Sequence, residues 1–214
     1  MIDSILKKIN NQNRTPIHEF VPSFMEDIQN SYPEIKNDWQ VFKESSAVLL
    51  PIDEISADQA ELNKLKKWNA LVLYAYGHKN QAALESFSSI TSILERGEEK
   101  IKMIMFSVLL PGMKIPSHTG NNYHVLRGQL CIENEEPEKT NLKIVNTNVI
   151  LKEGEVVVFD DTFLHEAWNN SARNRVVLII DFVKPFPLGL NWLNKIMLKR
   201  FSQSNYVRSA VVNW

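Results

Sequence analysis

The segment EVVVFDDTFLH at residues 155–165 decides the fold that we predict for this chain. Its first half, Glu155 to Phe159, is a short strand candidate rich in β-branched residues, and the polar turn that follows can aim side chains inward. Four further strand candidates lie around it, each bounded by turn-like residues: Ile101 to Leu110, Tyr123 to Glu133, Asn141 to Val145 and Arg175 to Val183. Such a series of short strands predicts an antiparallel sandwich or barrel.

Helices are predicted on both sides of this β region. Residues 1–45 are predicted to be mainly helical, with four large side chains spaced to face inward: Phe24, Ile28, Ile35 and Trp39. Residues 68–77 predict a strand and residues 81–95 another helix. We therefore predict a mainly β protein with flanking helices: one domain over residues 1–187, with a helical N-terminal layer (1–67) and a β core (68–187), then a helical extension (188–214).

Composition and charge narrow the classes of protein to consider. The chain has 214 residues and a formal net charge of -1, which gives no electrostatic footprint for nucleic acid. Its single cysteine, Cys131, excludes an internal disulfide and a thiolate zinc cluster, and fits a reducing compartment. No secretory signal is recognisable at residues 1–13, and no segment approaches the ~20 apolar residues of a membrane span. We expect a cytoplasmic protein without a nucleic-acid partner or a transmembrane segment.

Two histidines are the candidate metal ligands. His118 lies between Pro116 and the small residues Thr119 and Gly120, and His165 ends the polar turn of the opening segment. Strands that are distant in sequence can point two such imidazoles into the mouth of a small barrel. A common iron arrangement adds a carboxylate, often two residues after the first histidine. Because Gly120 stands there, the third ligand comes from elsewhere or is replaced by water, which Asp161 could orient.

His124 is a competing ligand, but strand alternation places it on the face opposite Arg127 and Gln129. We therefore favour a non-ligand role for His124, and take Arg127 and Gln129 as the pocket candidates of this strand. Arg175 begins a strongly apolar strand, where an inward guanidinium is costly unless it is paired. A dicarboxylate cosubstrate would supply that partner, and the Ser107 hydroxyl could bind the same carboxylate.

Several motifs together resemble the aspartyl/asparaginyl beta-hydroxylases, a family of iron(II)- and 2-oxoglutarate-dependent oxygenases with a double-stranded beta-helix (jelly-roll, cupin-like) fold. The resemblance covers roughly residues 68–183, with a weaker likeness over residues 20–41. It rests on six elements: SVLLPG (107–112), PSHTG (116–120), RGQL (127–130), EGE (153–155), FDDTFLHEAW (159–168) and Arg175.

The resemblance implies a role for each residue of the site. His118 and His165 become the iron ligands, and Gly120 accounts for the absent protein carboxylate, because members of the family can use water there. Arg175 and Ser107 are expected to bind the distal carboxylate of 2-oxoglutarate. The remaining expectations are contacts near the cosubstrate or substrate by Arg127, Trp68 and Gln129, the last standing where the family commonly has histidine.

The implied reaction is hydroxylation of an aspartyl or asparaginyl residue, or of a related free amino acid. Iron(II) is the cofactor, 2-oxoglutarate and O2 are the cosubstrates, and succinate and CO2 are released. Two alternatives stay open: a halogenase that uses the gap at Gly120, and a non-catalytic cupin-like protein that binds a metal or small ligand. The substrate is expected to be a small molecule or a peptide.

The C-terminal segment at residues 188–201 lies outside the strong resemblance and is predicted to be helical after Gly189. Its apolar residues, together with Lys195, Lys199 and Arg200, allow docking on the domain, contact with another subunit, or contact with a membrane surface. Irregular spacing of the polar residues argues against the membrane, and oligomerisation through residues 188–214 is left open as an alternative to simple docking.

Overall fold

The computed structural model describes residues 15–19, 21–45, 48–185, 191–204, 207–208 and 211. Strands β1 to β12 of this part are Ile17–His18, Leu50–Pro51, Trp68–Ala75, His78–Lys79, Ile101–Leu109, Met113–His118, Val125–Glu133, Thr140–Ile144, Thr147–Val149, Val156–Phe159, His165–Asn169 and Arg175–Val183. Helices α1 to α6 are Ser23–Asn30, Tyr32–Glu44, Ile52–Ile55, Gln81–Leu84, Ser88–Gly97 and Asn191–Ser202. Short 3-10 turns lie at Ala57–Gln59 and Pro137–Lys139.

The strands form two antiparallel sheets that enclose a core. The larger sheet has the order β1-β10-β7-β12-β5-β3-β2, with β4 paired to β3, and the smaller has the order β6-β11-β8-β9. Apolar side chains from both sheets meet between them, including Leu109, Val177 and Ile179 from the larger and Ile115 and Leu142 from the smaller. This arrangement confirms the predicted mainly β, jelly-roll class with flanking helices.

Helices α1, α2, α4 and α5 cover the outer face of the larger sheet. Trp39 of α2 stacks on Phe106 of β5 with 4.6 Å between ring centroids. Strand β12 shows why this sheet is apolar on both faces: Leu178 and Ile180 pack towards the helices, whereas Val177 and Ile179 pack towards the smaller sheet. A strand buried on both faces has a continuous apolar sequence, and β12 has the bounds that were predicted for it.

Three details differ from the predicted elements. Residues 81–95 form two helices, because the Phe87 backbone leaves the helical conformation and its ring is buried against Phe42 and Phe106. In the first of these helices the apolar pattern of the sequence predicts an inward Ala82, whereas Ala83 is buried and Ala82 is exposed. The layer predicted as helical over residues 1–67 also supplies the short strands β1 and β2, while its first 14 residues lie outside the described part.

The C-terminal extension contains α6, which begins at Asn191; residues 186–190 lie outside the described part. Among the described helices, none combines the length and the apolar composition needed to cross a membrane. The division into one domain over residues 1–187 and an extension over 188–214 stays a prediction.

Candidate metal centre

The two candidate ligands lie side by side on neighbouring strands of the smaller sheet. His165, the first residue of β11, pairs in register with His118, the last residue of β6. The centroids of the two imidazole rings are 4.2 Å apart. The sheet therefore brings together two histidines that are 47 residues apart in the sequence, at the end of the barrel where the loop 119–124 and the turn 160–164 emerge.

Both imidazoles are fixed in the same tautomer. His118 Nδ1 lies 2.8 Å from the Pro116 carbonyl oxygen, and His165 Nδ1 lies 2.8 Å from the Phe163 carbonyl oxygen. A carbonyl oxygen only accepts, so each Nδ1 carries the proton and donates it, which leaves the lone pair on Nε2. This is the arrangement that orients metal-binding histidines.

The environment also keeps both rings neutral. Burial lowers the pKa of His118 below its usual value of 6.5. Burial, followed by the charge that His118 would carry, lowers the pKa of His165 to about 3. Neutral imidazole is the form that binds a metal ion, so neither ring has to lose a proton near neutral pH before it can coordinate one.

Gly120 is in contact with the carboxylate of Asp161. A Cβ atom added at Gly120 would lie 2.3 Å from Asp161 Oδ2 and 2.4 Å from its Cγ. The Gly120 amide also donates a 2.7 Å hydrogen bond to the Asp161 carbonyl oxygen. Asp161 therefore occupies the place where a side chain at residue 120 would begin, so this position of the Asp161 carboxylate requires glycine at residue 120.

Asp161 is buried, with 4% of its surface exposed, and its two oxygens differ in their surroundings. Oδ2 lies 3.2 Å from Arg127 Nη2, while Oδ1 is buried without a hydrogen-bond partner. Burial raises the pKa of this carboxyl to about 6, against the opposing effect of Arg127. A buried acceptor without a donor is costly. Asp161 Oδ1 is thus free to accept a hydrogen bond from a water molecule, and the water-orienting role of Asp161 stays a prediction.

Arg127 is already engaged by protein carboxylates. Its Nε and Nη2 donate to both oxygens of Asp181 at 2.7 and 2.8 Å, and Nη2 also faces Asp161. Much of its hydrogen-bonding capacity is therefore taken by protein groups, and the predicted contact of Arg127 with cosubstrate or substrate stays a prediction.

Arg175 and Ser107 lie deeper in the space between the sheets. Arg175 is 3% exposed, and no hydrogen bond or ion pair of its guanidinium is found within the described residues. Burial lowers its pKa below the usual 12.5. Ser107 Oγ, on the adjacent strand, accepts a 2.9 Å hydrogen bond from Trp68 Nε1, so the hydroxyl proton remains for another acceptor. The guanidinium and the hydroxyl are thus available to a carboxylate, and their predicted pairing with one stays a prediction.

Gln129 lies on β7 between the Arg127–Asp161 contact and the buried Arg175 and Ser107. It is two residues after Arg127 on β7 and pairs with Ile179 of β12. Its side chain is 6% exposed, and Oε1 is buried without a partner. A half-turn of the amide would present its NH2 group in that place instead, which could donate to a carboxylate. His124, in contrast, packs away from the histidine pair, with Nδ1 2.7 Å from Asn194 Oδ1.

A cavity of about 310 Å³ opens beside His118. Its lining includes Trp68, Arg127 and Asp161, whereas Ser107, Gln129, His165 and Arg175 are buried outside that lining. Most of its wall is apolar and comes from residues that sequence reasoning had not assigned to a site: Ile52, Ile55, Leu62, Val72, Ala75, Met103, Met105, Phe201 and Val207. Such residues carry no signal in the sequence that separates a cavity wall from an ordinary core.

The charged groups of the lining are mainly acidic. Its acidic residues are Asp58, Glu61, Asp161 and Asp181, whereas Arg127 is the single cation in the described lining. Within the described residues, no group of three or more His, Cys, Asp or Glu side chains is arranged to hold a metal ion. A metal bound by the two imidazoles would thus take its further ligands from water or from a bound acid.

Comparison with known proteins gives consistent matches. The family model described as Aspartyl/Asparaginyl beta-hydroxylase matches residues 29–185. The chain is 26% identical over 188 residues to the ornithine lipid ester-linked acyl 2-hydroxylase of Rhizobium tropici, covering 87% of this chain and 66% of that protein. It is 28% identical over 149 residues to the aspartyl/asparaginyl beta-hydroxylase of Mus musculus, covering 68% of this chain and 19% of that protein.

Among solved structures, an oxidoreductase of the 2OG-Fe(II) oxygenase family from Burkholderia pseudomallei superimposes with a TM-score of 0.43 and 13% identity. The superposition covers 54% of this chain and 67% of that chain. The chain thus spans about two thirds of the length of the Rhizobium relative and about a fifth of the mouse relative.

Proposed function

The chain belongs to the aspartyl/asparaginyl beta-hydroxylase family, and from that premise we propose that it is an iron(II)- and 2-oxoglutarate-dependent hydroxylase. The observation that carries the proposal is the histidine pair: two adjacent neutral imidazoles whose Nδ1 protons are taken by carbonyl oxygens and whose Nε2 lone pairs remain. Iron(II) bound there, with O2 and 2-oxoglutarate, would supply the oxidation that converts a substrate C–H into C–OH and 2-oxoglutarate into succinate and CO2.

The buried base of the site is suited to the distal carboxylate of 2-oxoglutarate. A carboxylate paired with Arg175 would relieve the cost of its buried charge, and the planar guanidinium can donate two parallel hydrogen bonds. Ser107 would donate its hydroxyl proton to the same group while it accepts from Trp68. Gln129 would add an amide donor, without the positive charge that a histidine could provide there.

Asp161 would act as a positioning residue for water at the metal. Its Oδ1 has no protein partner, and Arg127 restrains the carboxylate through Oδ2. The contact between Gly120 and the Asp161 carboxylate disfavours the halogenase alternative. The space beside Gly120 is filled by an acidic group, and a halide placed there would meet a buried carboxylate.

Two substrates are suggested by the relatives: an aspartyl or asparaginyl side chain, and the acyl chain of a lipid. The cavity favours the acyl chain. Its wall is largely apolar, and its cation, Arg127, is bound to Asp181 and Asp161, so a substrate carboxylate would find no available positive partner in the described lining. An apolar chain would bury carbon surface there, at about 25 cal/mol per Å².

The test is succinate formation by the purified protein with iron(II), ascorbate, O2 and 2-oxoglutarate, combined with a search for products heavier by one oxygen atom. Acyl lipids and aspartyl peptides are supplied in parallel. His118→Ala and His165→Ala should abolish succinate formation, whereas His78→Ala, which removes an exposed histidine of β4, should not. Tight 2-oxoglutarate binding without turnover of any substrate would favour the non-catalytic alternative.

A further inference from the structure

Helix α6 presents an exposed face that is both apolar and basic. Trp192 is 59% exposed and Ile196 is 43% exposed. Three cations are exposed on the same helix: Lys195, Lys199 and Arg200. Residues four and seven positions after Trp192 lie on its side of a helix, so Ile196 and Lys199 share its face. The helix NWLNKIMLKRFS contains no acidic residue.

The opposite face of α6 is fixed to the barrel. Asn194 is fully buried; its Oδ1 lies 2.7 Å from His124 Nδ1, and its Nδ2 donates to the Lys184 carbonyl oxygen at 2.9 Å. Leu198, one turn further along, is 5% exposed. These contacts set the rotation of the helix about its axis, so the outward direction of Trp192 and Ile196 follows from the packing of the other side.

The same segment forms part of the cavity wall. Phe201, in the last turn of α6, lines the cavity, and its ring packs against Tyr76 with 5.2 Å between centroids. Val207, which follows the helix, is buried and also lines the cavity. A surface that binds the exposed face of α6 would therefore lie next to an element that bounds the substrate space.

We propose that α6 docks the protein on an anionic lipid surface, with Trp192 and Ile196 at the boundary of the acyl region and the three cations at the headgroup phosphates. The polar residues are irregularly spaced along this segment, which argued against a membrane surface, but the structure shows which of its residues are exposed. Exposed tryptophan and isoleucine beside lysine and arginine is the composition of interfacial helices. The absence of acidic residues from the helix makes its charge complementary to anionic headgroups. The proposal deepens the lipid-acyl substrate of the proposed function, because a docked helix would hold the cavity at the bilayer that contains the chain.

The binding test uses the full chain and sedimentation with two kinds of vesicle, phosphatidylcholine alone and phosphatidylcholine with about one third phosphatidylglycerol. The protein should bind the anionic vesicles more tightly, and salt should weaken binding. Each basic residue near an anionic surface contributes about fivefold, so Lys195→Gln, Lys199→Gln and Arg200→Gln together should weaken binding on the order of a hundredfold.

Two further variants test whether binding depends on the α6 face itself or only on the total charge of the protein. Lys114→Gln, Lys143→Gln and Lys152→Gln remove the same number of charges from the smaller sheet and a turn, and should leave vesicle binding unchanged. Trp192→Ala with Ile196→Ala should weaken binding without a change of charge. Circular dichroism of each variant checks that the fold is retained.

Equal binding to both kinds of vesicle, or unchanged binding of the α6 triple-glutamine variant, would overturn the proposal. So would a concentration-dependent dimer that Trp192→Ala with Ile196→Ala dissociates, since the face would then be a subunit interface. His165→Ala should keep vesicle binding while losing succinate formation. Docking and catalysis can therefore fail separately, and each failure is recognised by its own measurement.

Discussion

Replacement of Gly120 by alanine should destabilise the protein through a single contact. The new Cβ would lie 2.3 Å from Asp161 Oδ2, about 0.7 Å inside the 3.0 Å limit that real Cβ atoms respect. Asp161 cannot easily move away, because its carbonyl oxygen is bonded to the Gly120 amide and its carboxylate faces Arg127. Overpacking of this kind costs about 1–3 kcal/mol of unfolding free energy. For a chain of this size a cost of about 2 kcal/mol lowers Tm by about 4–8 °C.

A double-mutant cycle isolates that contact. Asp161→Ala removes the carboxylate, so Gly120→Ala in the Asp161→Ala background should cost nothing, or stabilise by about 0.4–1 kcal/mol through the reduced freedom of the unfolded chain. The gain is available because Gly120 does not lie in the left-handed region of φ, in contrast to Gly77 at φ +95°. Gly77→Ala meets no atom within 4 Å and should be destabilising by the same amount in both backgrounds.

Thermal and urea unfolding followed by circular dichroism give the four free energies of the cycle. The reasoning is refuted if Gly120→Ala costs the same with and without Asp161, since the cost would then come from the backbone or from another neighbour. Iron titration of the four proteins adds a second reading. Gly120→Ala should weaken the site as Asp161→Ala does, because both displace the same carboxylate.

Three further predictions follow from buried groups. Arg175→Met should raise the Tm of the ligand-free protein, because it removes an unpaired buried charge. The same change should raise KM for 2-oxoglutarate on the order of a hundredfold, because it deletes a buried partner worth about 3 kcal/mol. An unchanged KM would contradict the role of Arg175. Burial raises the pKa of the Cys131 thiol to about 12. A thiol reagent at about pH 8 should therefore label Cys131 only after the protein unfolds. Rapid labelling of the native protein would show instead that the core between the sheets opens. Trp39→Ala should lower the free energy of unfolding in urea by about 3–5 kcal/mol, because it leaves a cavity against Phe106. Val41→Ala, on the exposed side of the same helix, is the control. Equal losses in the two variants would mean that the helical layer contributes little to stability.

The sequence predicts the larger sheet better than the smaller one. Strands β5, β7 and β12 are predicted to within two residues, because each is mostly buried on both faces; β5 and β12 are also almost continuously apolar in sequence. Strands β6 and β11 were not predicted. In β6, buried Met113 and Ile115 alternate with exposed Lys114 and Pro116, and a proline inside a short polar run indicates a loop more than a strand. The two histidines were therefore expected at loop edges, whereas they are paired across a ladder.

In the candidate site, too, one part could be predicted from the sequence and another part could not. Residue type and spacing were enough to nominate His118, His165 and Arg175, because an imidazole pair and a guanidinium in an apolar strand have a limited set of uses. The contact of Gly120 with Asp161 could not be predicted, since it depends on how the loop after β6 packs on the turn after β10. The engagement of Arg127 by Asp181 depends equally on the register of β7 and β12.

What the sequence could not show at all is which buried polar groups lack a partner. The sequence does not tell whether a guanidinium, an amide or a carboxylate has a hydrogen-bond partner, because the partners lie on other strands. In the described structure Asp161 Oδ1 and Gln129 Oε1 are buried without one, and Arg175 has no ion pair. Each costs stability, and proteins retain such costs mainly where a ligand repays them. Three other buried atoms of the described residues also lack a partner: His18 Nε2 on β1, Asn141 Oδ1 on β8 and Trp39 Nε1 on α2. Gln129 and Arg175 differ from these because they lie on the inward face of β7 and β12, the face of Val177 and Ile179, and Asp161 lies in the turn that leads to His165. Their convergence on one space is therefore a stronger argument for a bound acid and a bound water than any one of these residues alone.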